Sequence, residues 1–215
     1  MKVGILWDLD GTLLDTLEDL ADGVNYALTQ FGYPVRTLEE VRRFVGNGAR
    51  NLIGRAVPEG ADPEPVFAMF HDYYNAHCQI KTGPYEGILP ALAELGAKYP
   101  MAIVSNKPDS AVKSLCREYF PDLYARGETS DCPRKPAPDM VLQTMAELGV
   151  ETCVYVGDSE VDVQTAKNAG VPCLSVLWGF RDRSEIEEVG GAHFCEKVAD
   201  LPRILDAMIR DLTAC

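Results

Sequence analysis

Hydrophobic residues fall into two successive patterns along this chain, and the switch between them lays out its organisation. Val3-Gly4-Ile5-Leu6-Trp7 is an unbroken apolar run that stops at Asp8-Leu9-Asp10-Gly11-Thr12. A short, β-prone run that is apolar on both faces predicts a buried strand of a parallel sheet, and Gly11 lets the chain turn away directly after it. Helical spacing then takes over: Leu17, Leu20, Val24, Ala27, Leu28 and Phe31 predict a helix over 16–31 that Gly32 closes. Thr37 and Glu40 form a capping-box pattern that opens a short second helix, stopped by Gly46-Asn47-Gly48. A third helix is expected over 49–57 and a fourth over 63–80, with Val66, Met69, Phe70 and Tyr73 on one face.

After Gly83-Pro84 helices and strands alternate. Strands are expected at 101–105, 123–126, 153–157 and 173–177, with helices beginning at Ile88 and Asp109 and spanning 139–148, 161–169 and 201–212. Alternation of this kind builds a doubly wound parallel α/β sheet, here of five strands, whose first strand is separated from the rest by a run of four helices. We therefore expect a core domain made of residues 1–13 and 84–215, and a helical cap domain made of residues 14–83.

In such a sheet, ligands bind at the carboxyl ends of the strands, and the residues there are chemically informative. Alternation points Asp8 and Asp10 the same way, so two carboxylates meet in one crevice; a cation or a proton must relieve them. One could attack while the other carries protons. Ser105-Asn106 ends the second strand with a hydroxyl and a backbone N–H suited to phosphoryl oxygens. Lys135 lies between Arg134 and a Pro136-Ala137-Pro138 stretch that stiffens its approach to a helix. Val156-Gly157-Asp158 repeats the pattern of a buried strand ending in an acid, with Asp162 four residues on. Asp8 and Asp158 offer hard oxygen ligands, which favours Mg²⁺. Read one at a time, the same residues also fit blander roles: a polar turn at Asp10-Gly11-Thr12, helix caps at Ser105-Asn106 and Asp162, and an exposed basic loop at Lys135.

Composition narrows the partners. The 215 residues hold 20 Lys and Arg against 33 Asp and Glu, a net charge of −13, so unassisted binding to nucleic acid or anionic membranes is not expected. No apolar stretch approaches a membrane span, and the N-terminal run reads as a strand rather than a signal peptide. Seven cysteines, at 78, 116, 132, 153, 173, 195 and 215, show no Cys-x-x-Cys spacing; neither zinc nor a disulfide framework is expected, and a cytoplasmic location is.

Taken together, Asp8-Leu9-Asp10-Gly11-Thr12, Ser105, Lys135-Pro136-Ala137-Pro138 and Gly157-Asp158-Ser159-Glu160-Val161-Asp162, in that order, resemble the four motifs of the haloacid dehalogenase-like phosphohydrolases. The helical insert after the first motif is similar to the phosphoglycolate phosphatase and β-phosphoglucomutase branch. The resemblance implies a sheet order of 5-4-1-2-3. It implies Asp8 as the nucleophile that becomes an aspartyl-phosphate and Asp10 as general acid and base. Mg²⁺ would be held by Asp8, the backbone carbonyl of Asp10 and Asp158, with Asp162 behind them. Ser105 and Lys135 would hold the phosphoryl group, together with backbone donors at Leu9 and Asn106.

Asp10 favours a phosphate ester over a halide, which leaves unprotonated. The absence of any lysine between Asp15 and Ile80 removes the Schiff-base chemistry of the phosphonate hydrolases. Gly157-Asp158 resembles the phosphatases rather than the mutases, which carry Glu-Asp. Val45-Gly46-Asn47-Gly48-Ala49-Arg50 resembles a phosphatase cap loop, making Gly48 and Arg50 candidate substrate contacts, Arg50 for a carboxylate. A small phosphorylated metabolite is the expected partner. Pyrophosphatase, sugar-phosphate or nucleotide phosphatase, phosphomutase and silent binding module are the alternatives, and the oligomeric state is left open.

Overall fold

The computed structural model describes residues 1–214; Cys215 lies outside them. Strand β1 (Val3–Trp7) is followed by β2 (Leu14–Asp15), then four helices in a row: α1 (Leu17–Gln30), α2 (Leu38–Phe44), α3 (Ala49–Ala56) and α4 (Pro63–His77). The chain returns through β3 (Gly83–Pro84), which pairs antiparallel with β2, so the outgoing and incoming segments run side by side. From there the order is α5 (Ile88–Gly96), β4 (Met101–Pro108), α6 (Asp109–Tyr119), β5 (Tyr124–Glu128), α7 (Asp139–Leu148), β6 (Thr152–Gly157), α8 (Glu160–Ala169), β7 (Cys173–Val176), α9 (Arg183–Glu188), β8 (His193–Cys195) and α10 (Leu201–Ala214).

The main sheet has six parallel strands in the order β5-β4-β1-β6-β7-β8. The expected five-strand order is present within it, and the expected count is corrected by one: β8 adds to the edge beside β7. With three residues, of which only Cys195 is buried, β8 carries no apolar run to announce it. Helix α9 also escapes a hydrophobic reading, since Ile186 is its one buried residue.

The middle place of β1 follows from its composition. All five residues are buried and paired with β6, and Ile5, Leu6 and Trp7 are paired with β4 as well, with Ile5 opposite Met101 in β4 and Val154 in β6. Alternation sends Leu6 to the face covered by Met140 and Val141 of α7 and Ala166 of α8, and Ile5 and Trp7 to the face covered by Leu115 of α6 and Leu205 of α10. Helices on both faces leave only the strand ends open, which is where the polar residues cluster.

Helix α4 ends at His77, three residues earlier than its periodicity predicts. The buried Asp19 carboxylate accepts hydrogen bonds from the backbone N–H groups of Ile80, Lys81 and Thr82, so this stretch is held as a non-helical turn leading back to β3. The apolar stripe of α4 is also shifted. Val66, Phe70 and Tyr74 are buried, while Tyr73, expected on that face, stacks against Tyr26 at 4.0 Å. Among the described residues no helix is long and apolar enough to cross a membrane.

Candidate active site

Four chain segments bring polar side chains to the carboxyl edge of the sheet. Asp8 follows β1, Ser105 to Lys107 lie in the last half of β4, Lys135 precedes α7, and Asp158 follows β6 with Asp162 in the first turn of α8. Lys135 is the hub. Its Nζ stands 2.9 Å from Asp8 Oδ1 and 2.8 Å from Asp162 Oδ1, and it donates to the Tyr155 hydroxyl at 3.0 Å. The hydroxyl in turn donates to the Val104 carbonyl. A buried ammonium is costly unless charges surround it. Burial works against the charged form here, but Asp162 and Asp8 outweigh it and hold the lysine's pKa well above its ordinary value.

Asn106 fixes the backbone of this lysine. Its side-chain amide accepts from Lys135 N–H at 2.8 Å and donates to the Lys135 carbonyl at 2.9 Å. That amide is therefore committed to Lys135 and is not available to a ligand. Ser105 Oγ accepts from Lys107 N–H at 3.2 Å. The Leu9 N–H donates to Asp8 Oδ1 at 2.7 Å; Oδ2 of Asp8 has no protein partner among the described residues.

Asp162 reconciles the two roles expected for it. Its Oδ2 accepts from the N–H groups of Asp158 and Ser159 and from the Ser159 hydroxyl, as a helix cap does, while Oδ1 faces Lys135. Gly157 makes this close approach feasible, because a Cβ at that position would come within 2.2 Å of the Asp162 carboxyl carbon. Asp158 accepts from Thr12 Oγ1 at 3.3 Å and from Phe180 N–H at 2.7 Å.

Asp8, Asp158 and Asp162 are buried, and each has an oxygen within 4.8 Å of the others. Three carboxylates against one ammonium is an excess of negative charge. Burial, reinforced by Asp162 and Asp158 and opposed by Lys135, pushes the Asp8 carboxyl well above the usual range. Burial and then Asp162 push Asp158 to about 7. A hard divalent cation fits this donor set, which is all oxygen and over-charged without one. Asp8 and Asp158 are the direct ligands it favours, because both oxygens of Asp162 are already used.

Asp10 stands apart from that cluster. Its Oδ1 accepts from Thr16 Oγ1 and from Lys107 Nζ, both at 2.7 Å, and Lys107 Nζ also donates to the Tyr74 hydroxyl of α4 at 2.7 Å. The Asp10 carboxylate therefore faces the cavity between sheet edge and helices, not the metal-ligand cluster, consistent with a metal contact through its backbone carbonyl alone. That cavity is lined by Asp8, Asp10, Ser105 and Lys107 below and by Gly46, Gly48, Leu52, Phe70, His71 and Tyr74 above.

Of the sequence-predicted residues, Asp8, Asp10, Gly48, Ser105, Asn106 and Asp158 line that cavity, Lys135 and Asp162 form the charged cluster behind Asp8, Leu9 is buried beside Asp8, and Arg50 lies elsewhere. Arg50 points to an outer groove, where it pairs with Glu64 and lies 4.2 Å over the Phe67 ring. The structure does not bring Arg50 to the cavity, because a carboxylate and an aromatic ring on α4 occupy its guanidinium.

Sequence reasoning missed Lys107, Tyr74 and Arg181. Arg181 lies in the loop between β7 and α9. Buried, it donates to the backbone carbonyls of Arg42 at 3.1 Å and Val45 at 2.5 Å, at the C-terminal end of α2, and to Glu160 at 2.9 Å. A cation suits the negative end of a helix dipole, and this one ties the Gly46 to Gly48 loop to the sheet edge. Arg181→Met should strand those carbonyls at a cost of about 2 kcal/mol, a melting temperature lower by about 4–8 °C, and faster amide exchange over residues 42–48. An unchanged melting temperature and exchange pattern would remove Arg181 from this role.

Comparison with known proteins accounts for the constellation. A haloacid dehalogenase-like hydrolase family model matches residues 5–176. The chain is 33% identical over 226 residues to phosphoglycolate phosphatase 1 of Pseudomonas aeruginosa, covering 98% of this chain and 78% of that protein. It is 36% identical over 198 residues to a phosphoglycolate phosphatase of Pseudomonas putida, covering 85% and 72%. A crystal structure from Lactobacillus delbrueckii subsp. bulgaricus, described as a candidate phosphoglycolate phosphatase, superposes with a TM-score of 0.87 at 37% identity, over 94% of this chain and 98% of that one. With its motifs, sheet order and relatives in agreement along nearly its whole length, the chain belongs to the haloacid dehalogenase-like hydrolases.

Proposed function

We propose that this hydrolase acts on a small phosphate monoester, phosphoglycolate foremost, through an aspartyl-phosphate formed on Asp8. The observation that carries the reading is the buried constellation at Asp8: a carboxylate with one oxygen unpartnered, a fixed ammonium beside it, and a second acid, Asp10, lining the same cavity. The names of the relatives support phosphoglycolate as the substrate to test first.

In this reading Asp8 Oδ2 attacks phosphorus while the ester oxygen takes a proton from Asp10. Asp10 then removes a proton from the water that attacks the aspartyl-phosphate, releasing inorganic phosphate and restoring Asp8. Lys135, Ser105 Oγ and the N–H groups of Leu9 and Asn106 hold the phosphoryl oxygens, and Asp162 keeps Lys135 and the Asp158 backbone in register. Mg²⁺ held by Asp8, Asp158 and the Asp10 carbonyl would supply charge neutralisation at the phosphoryl group. Residues 14–83 act as a cap that excludes water, hinged at the β2–β3 pair. Hydrolysis is favoured over phosphoryl transfer to a second substrate by the resemblance of Gly157-Asp158 to the phosphatases, and in this chain position 157 has no room for a side chain beside Asp162. Free cysteines at Cys78, Cys116, Cys132, Cys153, Cys173 and Cys195 support a reducing, cytoplasmic setting.

Turnover of phosphoglycolate and of an aryl phosphate should require Mg²⁺, and Ca²⁺, with its looser shell, should inhibit. Full activity in chelator would overturn the reading. A second readout needs no turnover. Without a cation, folded Asp158 keeps its proton up to about 7, whereas an unfolded carboxyl releases it near pH 4. The folded state thus binds more protons between those values, and its stability falls as pH rises through that window. A divalent cation needs the ionised form, so the rise in melting temperature on adding Mg²⁺ should be larger at pH 8 than at pH 5.5. An equal or absent rise at both would count against the site.

A further inference from the structure

The cavity over Asp8 holds a cation that the chemistry above does not use. Among the described residues lining it, Lys107 is the only lysine or arginine. Its side chain is 4% exposed, and a buried ammonium is a heavy cost for a fold to carry without purpose. Two of its three N–H bonds go to Asp10 Oδ1 and Tyr74 Oη, both at 2.7 Å, and it stands 4.7 Å from the centre of the Tyr74 ring. The third N–H has no protein partner among the described residues.

We propose that Lys107 selects the substrate by its leaving group: the ammonium receives the carboxylate of a small phosphomonoester that carries an anion within two bonds of the ester oxygen. This rests on the hydrolase reading given above. The placement follows from Asp10. To protonate the leaving oxygen, Asp10 must lie within hydrogen-bond reach of it, roughly 3 Å, and Lys107 Nζ is 2.7 Å from that same carboxylate. A carboxylate carbon two bonds beyond the ester oxygen then falls beside the ammonium. Arg50, the cation that the sequence pointed to, is held in the outer groove by Glu64, and Lys135 is enclosed by Asp8, Asp162 and Tyr155 at the phosphoryl end. Lys107 is left as the cation at the leaving-group end.

Tyr74 gives this contact a second property. It comes from α4 of the helical insert, whereas Lys107 comes from β4. The tyrosine hydroxyl accepts from Nζ only while the helices sit over the sheet edge, so anion recognition and closure share one hydrogen bond. The cavity wall around them is largely apolar, with Leu20, Val45, Leu52 and Phe70; this suits a short leaving group and strengthens a charge pair formed against it.

The test compares phosphoglycolate with phosphoglycolamide, which has the same shape without the carboxylate charge. Wild type should prefer the acid in kcat/KM by on the order of 10- to 100-fold, the worth of one charge-assisted hydrogen bond. In Lys107→Met that ratio should fall to about one. Lys107→Gln, which can still donate to Asp10 and Tyr74 without carrying charge, should lose it as well should the methionine variant fail to fold, and Lys107→Arg should keep much of it. Any effect of these changes on Asp10 acts on both substrates and cancels in the ratio. A wild type that hydrolyses both equally would overturn the inference while leaving the hydrolase intact, and so would a preference that survives Lys107→Gln. A wild type inactive on both esters and on aryl phosphates would instead bring down the hydrolase reading, and this inference with it.

Discussion

Asp8→Asn should abolish turnover on every phosphate ester while leaving a folded protein. The amide has the volume of the carboxylate, and its carbonyl can still face Lys135 Nζ, which stands 2.9 Å from Asp8 Oδ1, but its nitrogen cannot form the acyl-phosphate. Folding should not suffer, because Asp8 is a burden on the metal-free protein: burial and the charges of Asp162 and Asp158 push its pKa well up despite Lys135. Removing one of three crowded carboxylates leaves Lys135 still paired with Asp162 at 2.8 Å. The melting temperature without Mg²⁺ should therefore equal or exceed that of wild type, and the rise on adding Mg²⁺ should shrink with the loss of a ligand. Turnover above a small percentage of wild type would remove Asp8 as nucleophile. Loss of activity accompanied by a fall in melting temperature would show instead that Asp8 supports the fold.

The sequence made much of this site legible for a physical reason. Strand β1 ends where apolar residues give way to acids, and a strand buried on both faces has no freedom to move that boundary; the same holds for Gly157-Asp158 at the end of β6. What escaped notice depends on approach in space. Tyr74 and Lys107 are 33 positions apart and meet because the tyrosine of α4 reaches the end of β4; nothing periodic in either segment registers the contact. One helical residue separates Tyr73 from Tyr74, yet a step of about 100° sends one to Tyr26 and the other into the site. Arg50 was misplaced for the converse reason, since its partner Glu64 opens a different helix, α4. At the sheet edge, β8 takes its place by backbone pairing of Leu174 with His193 and Val176 with Cys195, which side-chain patterning does not record.

Asp10→Asn should cost on the order of 10²- to 10⁴-fold in turnover of an alkyl phosphate, and the pattern of loss should separate its two tasks. Asparagine can still accept from Thr16 and Lys107 through its carbonyl, as Asp10 Oδ1 does at 2.7 Å to each, so geometry should be largely kept while proton transfer is lost. Formation of the aspartyl-phosphate should then depend steeply on the leaving group. A nitrophenolate departs without a proton, whereas the alkoxide of glycolate does not, so the first step should survive on p-nitrophenyl phosphate and fail on phosphoglycolate. Hydrolysis of the aspartyl-phosphate needs Asp10 as base with either substrate. Mixed rapidly with p-nitrophenyl phosphate, Asp10→Asn should thus release about one equivalent of nitrophenolate in a burst and then turn over slowly, with phosphate retained on the protein. Asp8→Asn under the same conditions should give no burst, because nothing accepts the phosphoryl group. Undiminished turnover of phosphoglycolate by Asp10→Asn would deny it both tasks, while slow turnover of the aryl ester without a burst would place its contribution in the first step alone.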